Sequence, residues 1–429
     1  VIRSTFRSLA GRNYRLWAAG ALVSNIGTWM QRTAQTWLVL TTLTDNNAAA
    51  VGIVMALQFG PHFPLLAFTG YVADHFDRRK ILLCTQAAMG VLALGLGVLT
   101  LAGVVQLWHV YLFALLLGCV SAFDSPARQT FVSELVGEAD LSNAVALNST
   151  SFNAARMVGP AVAGVMIGLV GTGWVFMVNA ASYGAVLASL FLLREHELHR
   201  KPRAARAPGG LTEGFRYLGK RPDLRAVLLM LFLVSTFGLN FQIFIPAMAV
   251  SSFRVGASQY GLLMSAMAVG SVTGALTSAS RAGPRLRVLL LAAGAFCVAC
   301  TVAALMPNPI SFAIALFFCG LSAQTFSTTA NSTVQLGTDA QMRGRVMAIY
   351  LAIALGGTPI GAPIVGWVAD LFGPRWSIGV AAASGLAGLL VGLHYLVKHR
   401  GLRVAREGGR WRVHVEQVVP RANVIEKVG

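Results

Sequence analysis

Twelve long apolar runs leave this chain few folds to choose from. They fall at 15–41, 49–72, 80–102, 107–128, 143–169 and 174–193, then at 226–249, 257–280, 287–306, 309–331, 345–369 and 376–397. Each is near the roughly 20 residues a helix needs to cross a bilayer's hydrocarbon core. Backbone N–H and C=O groups find no partners in hydrocarbon, so runs of this length satisfy themselves as helices rather than as barrel strands. Periodicity alone does not separate spanning from buried helices. Yet 429 residues that are 55% hydrophobic and 12% charged hold too little polar surface to face water all round. The expected class is an all-α membrane protein of twelve transmembrane helices, with the lipid bilayer as its main solvent.

The basic residues set an orientation. With the N-terminus inside, the segments on that side carry 30 of the 34 Lys and Arg. Outside lie only Arg254 and Arg375, and within the membrane only Arg32 and Arg156. Both termini are therefore expected in the cytoplasm, and the protein in the cell's inner (plasma) membrane. This distribution accounts for the formal charge of +18 without nucleic acid as a partner. The first run contains Gln31, Arg32 and Gln35 and is too long for a signal-peptide core, so no cleaved signal is expected.

The sequence also repeats. Shifted by about 200 positions, Gly159 falls on Gly361, Gly164 on Gly366, Leu169 on Leu371, Gly171 on Gly373, Trp174 on Trp376 and Ser182 on Ser384. A repeat six runs apart keeps its orientation, which predicts two parallel six-helix halves related by a pseudo-two-fold along the membrane normal. The expected organisation is an N-terminal half at 1–193, a basic cytoplasmic linker at 194–225, a C-terminal half at 226–397 and a basic cytoplasmic tail at 398–429. The tail alternates apolar and polar residues around Gly408 and Gly409, which suits a small hairpin, although basic tails are more commonly disordered.

Little in the chain suggests an enzyme. Cys84, Cys119, Cys297, Cys300 and Cys319 all sit in apolar runs, where a free thiol acts as a small apolar side chain. Cys297 and Cys300 form C-x-x-C without a second pair, and His196-Glu197-Leu198-His199 lacks the i, i+4 histidines of a zinc protease. No cofactor or metal is implied. The polar residues inside the runs instead suggest a transport cavity. Asn25, Thr28, Arg32 and Gln35 recur at helical spacing in the first run. His62 lies between Pro61 and Pro64, where proline frees backbone groups that a neutral imidazole can bond, a capping role that ranks ahead of protonation. Asn153 and Arg156 precede Gly159-Pro160; Ser235, Thr236 and Asn240 mark the seventh run; and Gln324, Thr328 and Asn331 mark the tenth. Trp29, Phe59, Phe237, Phe241 and Phe244 could form an aromatic wall. A lone Asn or Gln in a membrane helix is more often helix-to-helix glue than ligand. A buried guanidinium is costly unless it faces a cavity or a partner, so Arg32 and Arg156 are the stronger candidates.

The loop between the second and third runs reads GYVADHFDRRK and resembles the loop signature of the major facilitator superfamily. Gly70, Asp74, Arg78 and Arg79 fit it, while His75 and Asp77 replace a base and a glycine. The wider pattern covers the chain to about residue 400, and WMQRTAQTWLVL, FDSPARQTF and ARMVGPAVAG are most similar to the branch holding macrolide-efflux proteins and enterobactin exporters. The resemblance implies a conformational latch in which Asp74 meets the N-terminus of the eleventh helix and Arg78 bridges it to an acid of the fourth, here Asp124. A carboxylate at a helix N-terminus is favoured by unpaired N–H groups and the helix dipole. ARMVGPAVAG resembles the antiporter motif, with Gly159 and Pro160 in place, Ala155 for its first glycine and Gly164 one step late. It implies a hinge, although a close helix contact would use the same residues. The repeat partner of the loop signature, SASRAGPRLR at 278–287, keeps bases and lacks the acid.

The expected function is a transporter exporting small, largely apolar, drug- or siderophore-like molecules by alternating access, with protons as the coupling partner. The rivals are an uptake or lipid-moving carrier of the same fold and, from another class, a membrane receptor or regulatory protein. A second likeness, GWVADLFGPR at 366–375, lies outside on this topology and reads as an accidental helix exit, with Asp370 and Arg375 left as a conceivable outer gate.

Overall fold

A computed structural model describes residues 6–199, 211–279, 286–400, 403–407 and 410–414. The first crossing is α1 (Arg12–Leu38), ending in a π-helical turn at Val39–Leu43. The second is split into α2 (Ala48–Phe59) and α3 (Leu66–His75). Then come α4 (Arg78–Leu101), α5 (Leu107–Leu135), α6 (Glu138–Val170) and α7 (Thr172–Phe191). After the linker's short α8 (Leu211–Gly219), the seventh crossing combines α9 (Pro222–Leu233) and α10 (Phe241–Ala247). The last five are α11 (Ala257–Ala279), α12 (Leu286–Leu305), α13 (Pro309–Gly337), α14 (Arg343–Phe372) and α15 (Pro374–Arg400).

Among the described residues, ten segments are long and apolar enough to cross a membrane. The first two expected crossings fall outside that number for physical reasons. Polar and charged residues such as Arg12, Arg15, Gln31, Arg32 and Gln35 lower the hydropathy of α1. Pro61 and Pro64 interrupt the second run, which passes through a 3-10 turn at Gly60–His62 before α3 begins. The seventh crossing breaks too, after a π-helical turn at Val234–Gly238. There the Asn240 amide donates to the Thr236 carbonyl at 2.7 Å and satisfies a group the break would orphan.

The repeat read from the sequence has a counterpart in packing. Gly171 and Gly373 end α6 and α14 with φ of 86° and 96°, each donating its N–H back into the helix, to Ile167 and Ala369. Gly159 lies against Trp29 of the first crossing, and its equivalent Gly361 against Thr236 of the seventh. Gly164 touches α11 at Ala257 and Gly261, while Gly366 touches α2 at Ala48 and Ala49. α6 and α14 thus each pack on one crossing of their own half and one of the other.

The ends of several helices run past the apolar stretches. α5 continues to Leu135, seven residues beyond the expected 128, because Phe131, Val132 and Leu135 on this mixed stretch are buried in one core with Tyr14 and Trp17 of α1. The tail departs from its commoner alternative: β1 (Arg403–Glu407) pairs antiparallel with β2 (Arg410–His414). Residues 200–210 of the linker and 280–285 of SASRAGPRLR lie outside the described residues.

Candidate substrate cavity and its gates

Two cavities meet at Arg32. The larger, about 860 Å³, is lined mostly by the first six crossings, including Asn25, Thr28, Arg32, His62, Asp124, Arg128 and Asn153. The smaller, about 360 Å³, lies between the halves and includes Arg32, Arg156, Ser235, Phe241 and Gln324. Arg32, Phe59 and Leu355 line both. The Arg32 guanidinium carbon stands 5.0 Å from the centre of Trp29 and 5.5 Å from that of Phe59, and its buried Nε has no partner. Aromatic faces offset part of the cost of a buried guanidinium and leave its edge free to grip a ligand.

Asp124 is the one carboxylate that lines either cavity, among the described residues. It accepts from Thr85 Oγ1 at 2.8 Å, Gln86 Nε2 at 2.7 Å and Arg128 Nε at 2.9 Å. Beside it, the Thr28 and Tyr183 hydroxyls are 3.4 Å apart, and the Asn179 amide donates to Gln31. His62 projects into the cavity from the break between α2 and α3, its Nε2 3.5 Å from the Ser121 hydroxyl and its Nδ1 buried without a partner.

Several expectations need correction. Arg78 does not bridge to Asp124; it pairs with Glu134, and Asp124 pairs with Arg128 one turn along α5. The reason is the length of α5, which carries Glu134 to the end beside the Arg78 loop and keeps Asp124 on the cavity wall. The backbone reaches Asp74 near the end of α3, and the contacts of that side chain lie outside what is described. Gln35 and Asn240 are buried among helices and line neither cavity. Of the proposed aromatic wall, Trp29, Phe59 and Phe241 reach a cavity, whereas Phe244 is wholly buried in the core. Gly159, Pro160 and Gly164 lie within a continuous α6, where Gly159 meets Trp29 of α1 and Pro160 and Gly164 meet Gly261 of α11. Sequence reading missed Arg128, Thr85, Gln86 and Tyr183; only the Asp124–Arg128 spacing of four carried a signal.

The two faces of the molecule differ. On the side of the linker, Val132, Val145 and Asn148, within three turns of the facing ends of α5 and α6, still line the larger cavity, so it reaches that surface. On the far side the halves touch backbone to backbone. A Cβ on Gly366 would stand 2.5 Å from the Ala48 carbonyl oxygen, and one on Gly164 2.6 Å from that of Ala257. Ser265 Oγ donates to the Met157 carbonyl at 2.7 Å, deeper along the same α6–α11 seam. The cavity therefore opens on the linker side and is closed on the other.

Residues 3–411 match the family described as transmembrane secretion effector. The enterobactin exporter EntS of Shigella flexneri is 29% identical over 361 residues, 83% of this chain and 85% of that protein. EntS of Escherichia coli O1:K1 / APEC is 28% identical with the same coverage. Among solved structures, a bacterial homologue of the lysosomal transporter Spinster, inward-facing and unoccupied, superposes with a TM-score of 0.67 at 15% identity, covering 90% of this chain and 95% of its own. An inward-facing bacterial homologue of the iron transporter ferroportin gives 0.69 at 14% identity, with 90% and 98% covered. At such identities these structures speak to the fold alone.

Proposed function

Because the chain belongs to the transmembrane secretion effector family of the major facilitator superfamily, we propose that it exports small, largely apolar molecules bearing planar oxygen acceptors, by alternating access across the inner membrane. The helical transporter fold and the membrane setting are shared with the matching family and the structural neighbours, and the chain's relatives are transporters rather than enzymes. Export, the cargo and its coupling to protons are the reading's own steps, with the linker and both termini placed in the cytoplasm by the basic residues. The enterobactin exporters supply the analogy for direction.

The observation that carries the cargo class is the charge of the cavity. Arg32 and Arg156 line it without a facing acid, since Asp124 is engaged by Arg128. A cation entering this space would have to leave water unpaired, at a cost of several kcal/mol. An anionic, zwitterionic or neutral ligand with coplanar oxygens, such as a catechol or carboxylate, meets a guanidinium with matching geometry. Asp124 and His62 are the groups on the wall able to carry a proton. Competition in proteoliposomes tests the cargo: catecholate- or carboxylate-bearing compounds should inhibit transport at least tenfold more strongly than quaternary ammonium dyes. Arg156→Ala should narrow that ratio severalfold at equal expression. Efficient export of the dyes, with no effect of organic anions, rejects the assignment.

A further inference from the structure

The far side holds a contact that the cavity does not need. Asp370, in the last turn of α14, accepts hydrogen bonds from the first two N–H groups of α2: Ala48 N at 2.7 Å and Ala49 N at 2.9 Å. The third, Ala50 N, donates to Asn47 Oδ1 at 2.8 Å. Two of the donors that a helix start leaves open are thus satisfied by an acid from the other half of the molecule. Arg375 takes no part, its Nη1 donating to the Ala304 carbonyl at 2.8 Å. The likeness of GWVAD at 366–370 to GYVAD at 70–74, read from sequence as an accident, therefore has a structural use.

The geometry around it repeats in register. α2 and α14 run antiparallel, with Gly366 against Ala48 and Ala49, Gly52 against Ala362 and Pro363, and Gly356 against the Phe63 ring. One partner number rises as the other falls.

We propose that Asp370 is a far-side latch: by capping α2 from the opposite half, it holds the molecule in the state whose cavity opens toward the linker, and it must let go before the far side can open. Rocking the halves apart on the far side moves the ends of α2 and α14 most, and hydrogen bonds of this length do not stretch across such a gap. Gly52 and Gly366 serve the latch by letting the two backbones meet. The proposal rests on alternating access and on no particular cargo, so failure of the anion assignment above leaves it standing.

The test is a distance measurement on the full chain without cargo. Spin labels go on Val104→Cys and Pro307→Cys, far-side loop positions in the two halves, after replacement of the five native cysteines. Asp370→Asn keeps the size of the side chain and removes its charge; it should raise the far-side-open population roughly threefold, the scale of one charged cap at an exposed helix start. Asp370→Glu, which keeps the carboxylate, should stay near wild type. Asn47→Ala is the discriminating control, because it removes a cap from the same helix without unlinking the halves. It should lower thermal stability and leave the distances unchanged. Equal shifts for Asp370→Asn and Asn47→Ala would reduce Asp370 to an ordinary helix cap, and an unchanged distribution for Asp370→Asn would remove the latch.

Discussion

Arg78 illustrates how much one side chain's partner depends on where a helix ends. Hydropathy closes the fourth crossing near 128, which leaves Asp124 as its last acid; the helix runs on to Leu135, and Glu134 becomes the acid beside the loop. The pair is partly shielded, with side chains 21% and 12% exposed, and the Glu134 carbonyl also receives the His199 N–H at 2.8 Å. The contact therefore ties α4, α5 and the start of the linker on one surface. Arg78→Ala and Glu134→Gln should each impair transport while leaving insertion intact. The double variant should lose less than the two single losses together, with a coupling on the order of 1 kcal/mol. Strict additivity, measured as transport rate at equal expression, would show that the two side chains do not act together. Asp124 is then released for its cavity role, and Asp124→Asn should show no coupling to Arg78→Ala.

Elements were legible from the sequence to the extent that hydrocarbon dictates them. Runs such as 80–102 and 287–306 became α4 and α12 within two residues, since neither break nor polar stripe interferes. The breaks were half visible: Pro61 and Pro64 announce the split second crossing, but nothing local announces the one at Asn240, where a side chain replaces a lost backbone bond. Contacts between elements were legible only as glycines. Gly164 and Gly261 face each other across the α6–α11 seam, and a Cβ on Gly261 would meet backbone atoms of Pro160 and Gly164 that cannot rotate away. Gly261→Ala should therefore cost about 1–3 kcal/mol as the helices are forced apart. Gly184→Ala, where the added carbon meets nothing, should be close to neutral. Thermal unfolding in detergent checks both, and equal midpoints would mean that the seam has slack.

At the scale of the whole molecule, charge decides what can drive an exporter of this shape. Asp124 is the single carboxylate lining the described cavities, and the guanidinium at their junction favours anions. A proton on Asp124 and an anion at Arg32 attract one another, so binding either should strengthen binding of the other. Exchange needs the opposite, each ligand expelling its competitor. Neutral cargo escapes this conflict: a hydroxyl or amide that donates to Asp124, alongside Thr85, Gln86 and Arg128, favours the ionised carboxylate and expels its proton without adding charge. For an anion the membrane potential is the better drive, because each negative charge leaving an inside-negative compartment gains about 2.3 kcal/mol per 100 mV, equivalent to roughly a 50-fold gradient. In proteoliposomes with controlled orientation, export of a monoanion should therefore rise steeply with an imposed potential, negative on the cargo side, and respond weakly to a pH gradient. A neutral analogue should show the reverse, and Asp124→Asn should abolish the pH response while sparing the voltage response. Anion export indifferent to potential, together with a pH response that survives Asp124→Asn, would place the coupling elsewhere and turn the question to His62 on the same cavity wall.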